Sequence, residues 1–254
     1  MLVLTGGLRG VTDLWFDPAA DTLTANAGGV FWEGDSRRWQ LGNPSRPAVV
    51  DWHRPQGDPR VELVRLNPDS RALNGYRLAN GTEVEIPPGH YQQGRAILAV
   101  GERFTAVERP YRLAASAQCW LAVRSLADGS ELARLPFPAT NAEVRLAAVP
   151  HSARVAGTAA GRLLVYDCDA GTCQELPGRG RKRWQDLAAH PSGRLVAAVN
   201  NSPRVTFVDP HAATAAGTFD PGIGRLTAVA CSPDGLLWAA AGAKGRVAVW
   251  DADG

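Results

Sequence analysis

Residues Arg225 to Asp251 read RLTAVACSPDGLLWAAAGAKGRVAVWD. Three apolar runs lie in this stretch, LTAVAC, LLWAAAG and RVAVWD, and two turns separate them, Ser232-Pro233-Asp234-Gly235 and Ala243-Lys244-Gly245. Each run is short, rich in Val, Leu, Ala and Trp, and bounded by Gly, Pro or Asp. That pattern predicts strands joined by tight turns. One such unit cannot bury both of its faces, so the stretch implies further copies of itself.

The copies lie upstream at a constant step. Asp251 closes GRVAVWD, Asp209 closes PRVTFVD, Asp167 closes GRLLVYD and Ser125 closes CWLAVRS, and these four strand ends are equally spaced. The turn His190-Pro191-Ser192-Gly193 precedes Ser232-Pro233-Asp234-Gly235 by the same step. The step falls within the period of about 40–45 residues, with several strands per repeat, that marks a propeller. Val11 to Glu33 supplies another copy, with an Asp17-Pro18 turn and a third run ending at Trp32-Glu33. Between Gly42 and Val100 the period loosens. Pro68, in the turn Asn67-Pro68-Asp69-Ser70, lies more than one step after Pro18, and the surplus predicts a loop from Gly42 to Pro59. A competing register exists here. LNGYRLANGTEVEIP from Leu73 matches LAVRSLADGSELARLP from Leu121, which makes Ala48 to Trp52 an innermost strand and leaves Ala96 to Val100 over.

A strand, an S-P-D-G turn, a strand, a polar turn and a strand ending Trp250-Asp251 resemble the WD40 repeat. The resemblance covers nearly the whole chain and is strongest over Val144 to Asp251 and Val11 to Glu33. It implies an all-β fold, a single β-propeller over residues 1–254 built of four-stranded antiparallel blades. Innermost strands are expected at Val11–Phe16, Val61–Leu66, Arg103–Glu108, Val144–Val149, Trp184–Ala189 and Leu226–Cys231, so six blades are preferred and seven is the alternative. The last blade lacks a fourth strand, and Leu2–Thr5 is strand-like ahead of the first unit. Leu2–Thr5 is therefore expected beside Arg246–Asp251, closing a complete ring and removing an exposed edge. Trp32, Tyr166 and Trp250 share the penultimate position of the third strand and are expected to fill the wedge between sheets. The family's Gly-His pair before the first strand and Asp before the third are missing, so its buried hydrogen-bond network is expected to be absent or replaced.

Composition agrees with a folded, water-exposed chain: 45% hydrophobic, 20% charged and net charge +2. No apolar run approaches about 18 residues, so no membrane-spanning segment is expected. The start, Met1-Leu2-Val3-Leu4-Thr5, has no basic region of a secretory leader, and a cytoplasmic location is expected. The basic residues are nearly all Arg, with Lys182 and Lys244 the only lysines. That skew is attributed to genome composition, and nucleic acid is not the expected partner.

Three candidate sites emerge. The run Arg179-Gly180-Arg181-Lys182-Arg183-Trp184 joins a fourth strand to the next first strand, and Lys244 would share its face. Arg179, Arg181, Lys182, Arg183, Trp184 and Lys244 form the expected binding set for an acidic peptide or phosphates, against the plainer reading of a solvated loop. Asp13, Glu62, Glu143 and Asp186 near the starts of innermost strands are candidate oxygen ligands for a hard cation at a channel mouth. Their registers differ, which favours a scattered polar lining. Cys168 and Cys173 flank a hairpin turn, where a disulfide or a reduced pair both fit. Cys119 and Cys231 read as buried structural thiols. Nucleophile-elbow, zinc-protease and phosphate-loop motifs are all missing from the sequence, and the five histidines are scattered. The expectation is a non-catalytic, monomeric scaffold that binds protein or peptide partners through its loop faces and needs no cofactor. The alternative is a propeller enzyme or cation binder using the channel carboxylates.

Overall fold

The S-P-D-G turn shows how these sequences make hairpins. Ser232 N–H donates to the Leu237 carbonyl at 2.9 Å, and Ser232 Oγ accepts the Leu237 N–H at 2.9 Å. Asp234 Oδ1 accepts the Leu236 N–H at 3.0 Å, and Gly235 takes the left-handed φ of +76° that the turn requires. The Ser232 hydroxyl and that N–H hold the Asp234 carboxyl below the usual carboxylate range. In the equivalent turn one repeat earlier, His190 replaces Ser232, and its Nδ1 accepts the Ser192 N–H at 3.1 Å. The recurring Asp at the third-strand end has a similar task. Asp209 Oδ1 accepts the His211 and Ala212 N–H groups at 2.7 and 3.1 Å, and Asp167 Oδ1 accepts that of Ala170 at 2.9 Å. Ser125 Oγ does the same for Ala127. Short acceptors thus hold the turn from third to fourth strand in the second, third and fourth blades, which accounts for the constant spacing of Ser125, Asp167 and Asp209 along the chain.

The computed structural model describes residues 1–5, 8, 10–17, 21–27, 35–49, 60–64, 75–85, 98–109, 119–137, 145–159, 161–176 and 183–253. Strand β1 (Leu2–Thr5) precedes the first blade, β2 (Asp13–Phe16), β3 (Thr22–Ala27), β4 (Asp35–Gln40) and β5 (Asn43–Val49). A three-stranded sheet follows: β6 (Val61–Val64), β7 (Gly75–Leu78) and β8 (Glu83–Glu85). The second blade is β9 (Leu98–Val100), β10 (Phe104–Arg109), β11 (Cys119–Ser125) and β12 (Glu131–Phe137). The third is β13 (Arg145–Val149), β14 (Arg154–Ala159), β15 (Arg162–Asp167) and β16 (Thr172–Leu176). The fourth is β17 (Asp186–Ala189), β18 (Val196–Val199), β19 (Val205–Asp209) and β20 (Thr214–Phe219). The fifth is β21 (Leu226–Cys231), β22 (Leu237–Gly242) and β23 (Arg246–Asp251), with β1 as its fourth strand. All pairings are antiparallel between sequence neighbours, apart from β1. Leu2 pairs with Val249 and Thr5 with Arg246, the strand sharing the sequence predicts.

The fold is thus all-β, made of small propeller-type sheets. Five blades of four strands are complete among the described residues, where six or seven were expected. The correction comes from the loosened region. Arg103–Glu108 was expected innermost, but β10 is a second strand, and β9 lies inside it and beside β13. The segment left over in the competing register is therefore a first strand. In the three-stranded sheet, the Asn80-Gly81-Thr82 turn repeats Asp128-Gly129-Ser130. Asn80 Oδ1 accepts the Thr82 N–H at 2.9 Å, and Asp128 Oδ1 that of Ser130 at 3.1 Å. This makes β7 and β8 third and fourth strands, so β6 is a second strand, not the innermost one expected at Val61–Leu66. Asn43–Val49, where a loop from Gly42 to Pro59 was expected, is the outer strand β5, so Ala48 and Val49 of the alternative innermost strand are outermost, while residues 50–52 lie outside the described residues.

The chain divides into two compact units. One comprises Met1–His53 with Leu176–Gly254, and the other Arg54–Glu175. In the first unit, β17, β21 and β2 lie side by side, so the fourth, fifth and first blades pack in succession. In the second, β9 and β13 do the same for the second and third blades. Inner strands are apolar on both faces and buried on both, as in β14, β15, β22 and β23, whereas the outer β16 and β20 are largely exposed. Aromatic pairs lock neighbouring blades. Tyr166 on β15 stacks with Phe137 at the end of β12, centroids 5.8 Å apart, and Trp250 on β23 meets Phe219 at the end of β20 at 4.9 Å. The first blade's equivalent residue is Trp39, penultimate in β4 and fully buried. Trp32, expected in that place, lies outside the described residues, and the third strand ends at Gln40, not at Glu33 as the sequence predicts. Among the described residues the buried Trp39 indole Nε1–H has no acceptor.

Candidate functional site

Call the end of each blade where first and third strands begin its leading end, and the opposite end trailing. In the first unit, three turns at the leading end of the fourth and fifth blades are tied together by backbone hydrogen bonds. Leu226 N–H donates to the Ser202 carbonyl at 2.8 Å, joining the β21 start to the β18–β19 turn. Ala243 N–H donates to the Arg225 carbonyl at 2.8 Å, joining it to the β22–β23 turn. Ser202 Oγ accepts the Arg204 N–H at 3.2 Å and donates to the Arg204 carbonyl at 3.0 Å, holding its own turn tight. Gln185 N–H donates to the Val199 carbonyl at 2.9 Å, which places the start of the fourth blade against the same end.

These turns carry five exposed cations: Arg183, Arg204, Arg225, Lys244 and Arg246. Arg183 and Arg225 hold equivalent places just before the first strands of their blades, and Arg204 and Arg246 hold equivalent places at the start of the third strands. The repeat thus sets the same charge at the same place on consecutive blades. The acids among the described residues at this end of the two blades are Asp186, at the start of β17, and Asp220, whose Oδ1 accepts the Gly222 N–H at 2.8 Å, so the cations outnumber them. The trailing end of the fourth and fifth blades has the opposite character, with Asp209, Asp234, Asp251 and Asp253 against Arg194. Such a separation of charge produces a directed field at the surface.

Of the residues singled out in the sequence, Arg183 and Lys244 are exposed here, whereas Trp184 is buried at 7% exposure and presents no ring to a partner. Arg179, Arg181 and Lys182 lie outside the described residues. Arg204, Arg225 and Arg246 were missed, although their places within the repeat were readable.

The carboxylates proposed for a cation are not assembled. Asp186 Oδ2 accepts the Val229 N–H at 2.9 Å, a bond from the fourth blade to the fifth. The fifth blade reaches the first in a similar way, Thr227 Oγ1 donating to the Val11 carbonyl at 2.6 Å. Asp13 Oδ2 accepts the Thr12 hydroxyl at 3.1 Å, and Glu62 pairs with Arg77 at 2.9 Å. Glu143 lies outside the described residues. Among the described residues, no group of three or more His, Cys, Asp or Glu side chains is placed to hold a metal ion. Asp186 is therefore a strut between blades. Asp186→Ala is expected to cost about 2 kcal/mol in urea unfolding, the worth of a hydrogen bond to a charged group. Asp186→Asn should cost less, because its amide oxygen still accepts. Equal stability of all three proteins would remove the strut.

The three described thiols are free. Cys168 is buried, Cys173 exposed and Cys231 half-buried. Burial pushes the Cys168 and Cys231 thiols up to about 12, so neither is a nucleophile at neutral pH. The Cys119 side chain lies outside the described residues. Two histidines brace trailing-end turns: His190 Nε2 donates to the Gly235 carbonyl at 3.0 Å, across to the fifth blade, and His211 Nε2 lies 3.2 Å from the Gly193 carbonyl. Among the described residues, no helix is long and apolar enough to cross a membrane. Compared with protein-family models and with curated proteins, the chain matches none.

Proposed function

We propose that this chain is a non-catalytic interaction scaffold, a single WD40-type propeller over residues 1–254 that holds a protein or peptide partner on its leading-end turns. The observation that carries the reading is the cluster of five cations, Arg183, Arg204, Arg225, Lys244 and Arg246, on turns fixed by backbone hydrogen bonds. Like charges held close together repel, so a surface that gathers them favours an oppositely charged partner. Rigid placement lowers the ordering cost of binding. The strongly placed carboxylates serve turns and blade contacts, which leaves the alternative of a channel-mouth enzyme or cation binder without a favouring observation.

The test is affinity capture from native lysate with immobilised wild-type protein, an Arg204/Arg225/Lys244→Ser variant and an Arg194→Ser variant altered at the trailing end. A partner recovered by wild type and Arg194→Ser, and lost by the triple variant, is the expected result. Recovery by all three would move the contact off this face. Recovery by none would overturn the scaffold reading.

A further inference from the structure

We propose that the partner presents to this face an extended, acidic peptide segment, an inference that rests on the scaffold reading above. Four of the five cations are arginines. A guanidinium offers a planar fork of donors that matches a carboxylate in a bidentate pair. Among the described residues none of the five side chains takes part in an ion pair or donates a side-chain hydrogen bond. The blade spacing sets the spacing of the charges. Sheets stacked face to face lie on the order of 10 Å apart, and an extended chain advances about 3.3 Å per residue. Arginines repeated on consecutive blades therefore suit acidic residues about three or four positions apart.

The backbone between these cations is open. Gly222 and Gly224 take left-handed φ values of +69° and +88°, and nothing lies within 4 Å of where a Cβ would stand at either. A peptide can approach the main chain there without displacing a side chain. The alternative polyanion, single-stranded nucleic acid, is held by bases stacked on exposed aromatic rings. The exposed side chains of these turns include no aromatic ring, and the nearby Trp184 is buried. The face therefore offers charge and bidentate donors without a stacking platform, which favours carboxylates on a peptide.

The experiment uses fluorescence anisotropy with the full chain and three labelled probes. These are a twelve-residue peptide with Glu or Asp at every third position, its Gln/Asn counterpart, and a thymidine oligonucleotide of the same length. Wild type is compared with Arg204/Arg225/Lys244→Ser and with Arg194→Ser, each first checked for an unchanged melting curve. The acidic peptide is expected to bind wild type and Arg194→Ser alike, about tenfold more weakly to the triple variant, and more weakly as salt rises. Equal binding of the Gln/Asn peptide, equal binding by the triple variant, or tighter binding of the oligonucleotide would overturn the proposal. If no acidic peptide binds, yet the triple variant still loses a lysate partner, the peptide chemistry is overturned and the scaffold reading stands. If neither a peptide nor a lysate partner is held, both fall.

Discussion

Leu4→Asp is expected to cost about 4 kcal/mol, a fall in melting temperature of roughly 10 °C for a chain of this size. Leu4 is 3% exposed and sits opposite Val247 in the pairing that makes β1 the fourth strand of the fifth blade. It belongs to the apolar cluster with Val11, Leu14, Leu23, Trp39, Val247 and Val249. A carboxylate there is buried without a counter-charge, so the strand either holds the charge in apolar surroundings or comes away from β23. Detachment sets the upper limit. Deleting Met1–Thr5 should therefore lower the melting temperature about as far as Leu4→Asp and no further. If the deletion leaves the curve unchanged, β1 contributes nothing to the fifth blade. If Leu4→Asp costs much less than the deletion, the strand is held by its backbone pairing, not by this side chain.

The strength of the repeat decided what the sequence could reveal. Between Ser125 and Asp251 each third strand ends on a residue with a short polar side chain, so the same chemical need recurs once per repeat and the strand ends fall where the spacing places them. The first blade shows why a plausible copy can mislead. Gly28-Gly29 and the Val30-Phe31-Trp32 run look like a turn and a strand, but the segment that pairs with β3 is Asp35–Gln40, which buries Ser36 on one face of the sheet and Trp39 on the other and shows no apolar alternation. Arg37 and Arg38 stand in its middle, and so polar a strand lacks the apolar run that marks a strand in the sequence. Arg38 Nε instead donates to Thr24 Oγ1 at 3.2 Å across the sheet. The second blade failed for a related reason: β9, Leu98–Val100, is too short to show a period.

Charge was legible in part. The run Arg179–Arg183 stands out because its residues are adjacent, whereas Arg204, Arg225 and Arg246 are isolated in the chain and become neighbours only when hairpins bring their turns together. Counting charges along the sequence misses such a face, and counting them by position within the repeat finds it. Burial reversed the reading of Trp184. A Trp beside basic residues suggests a binding platform, but the residue leads directly into a first strand whose apolar side faces the blade contact, and it is 7% exposed.

Trp39→Ala is expected to cost about 4 kcal/mol in urea unfolding, near the top of the range for a buried aromatic. Trp39 has no exposed surface and faces Leu23 across β3 and β4. It stands where Tyr166 and Trp250 stand in their blades, and those rings meet Phe137 and Phe219 from the outer strand of the preceding blade. For the first blade, the preceding outer strand in the same unit is β1, and Leu4 shares Trp39's cluster in place of the aromatic. Two consequences follow from that substitution. Trp39→Phe should lose much less than Trp39→Ala, because the indole Nε1–H has no acceptor to leave behind. Trp39→Ala combined with Leu4→Ala should cost less than the two single changes added together, by about 1 kcal/mol, since each empties space the other lines. Strict additivity would separate the two residues and with them the role of β1 in covering the first blade. A Trp39→Ala protein as stable as wild type would return the wedge position to another residue of the first blade.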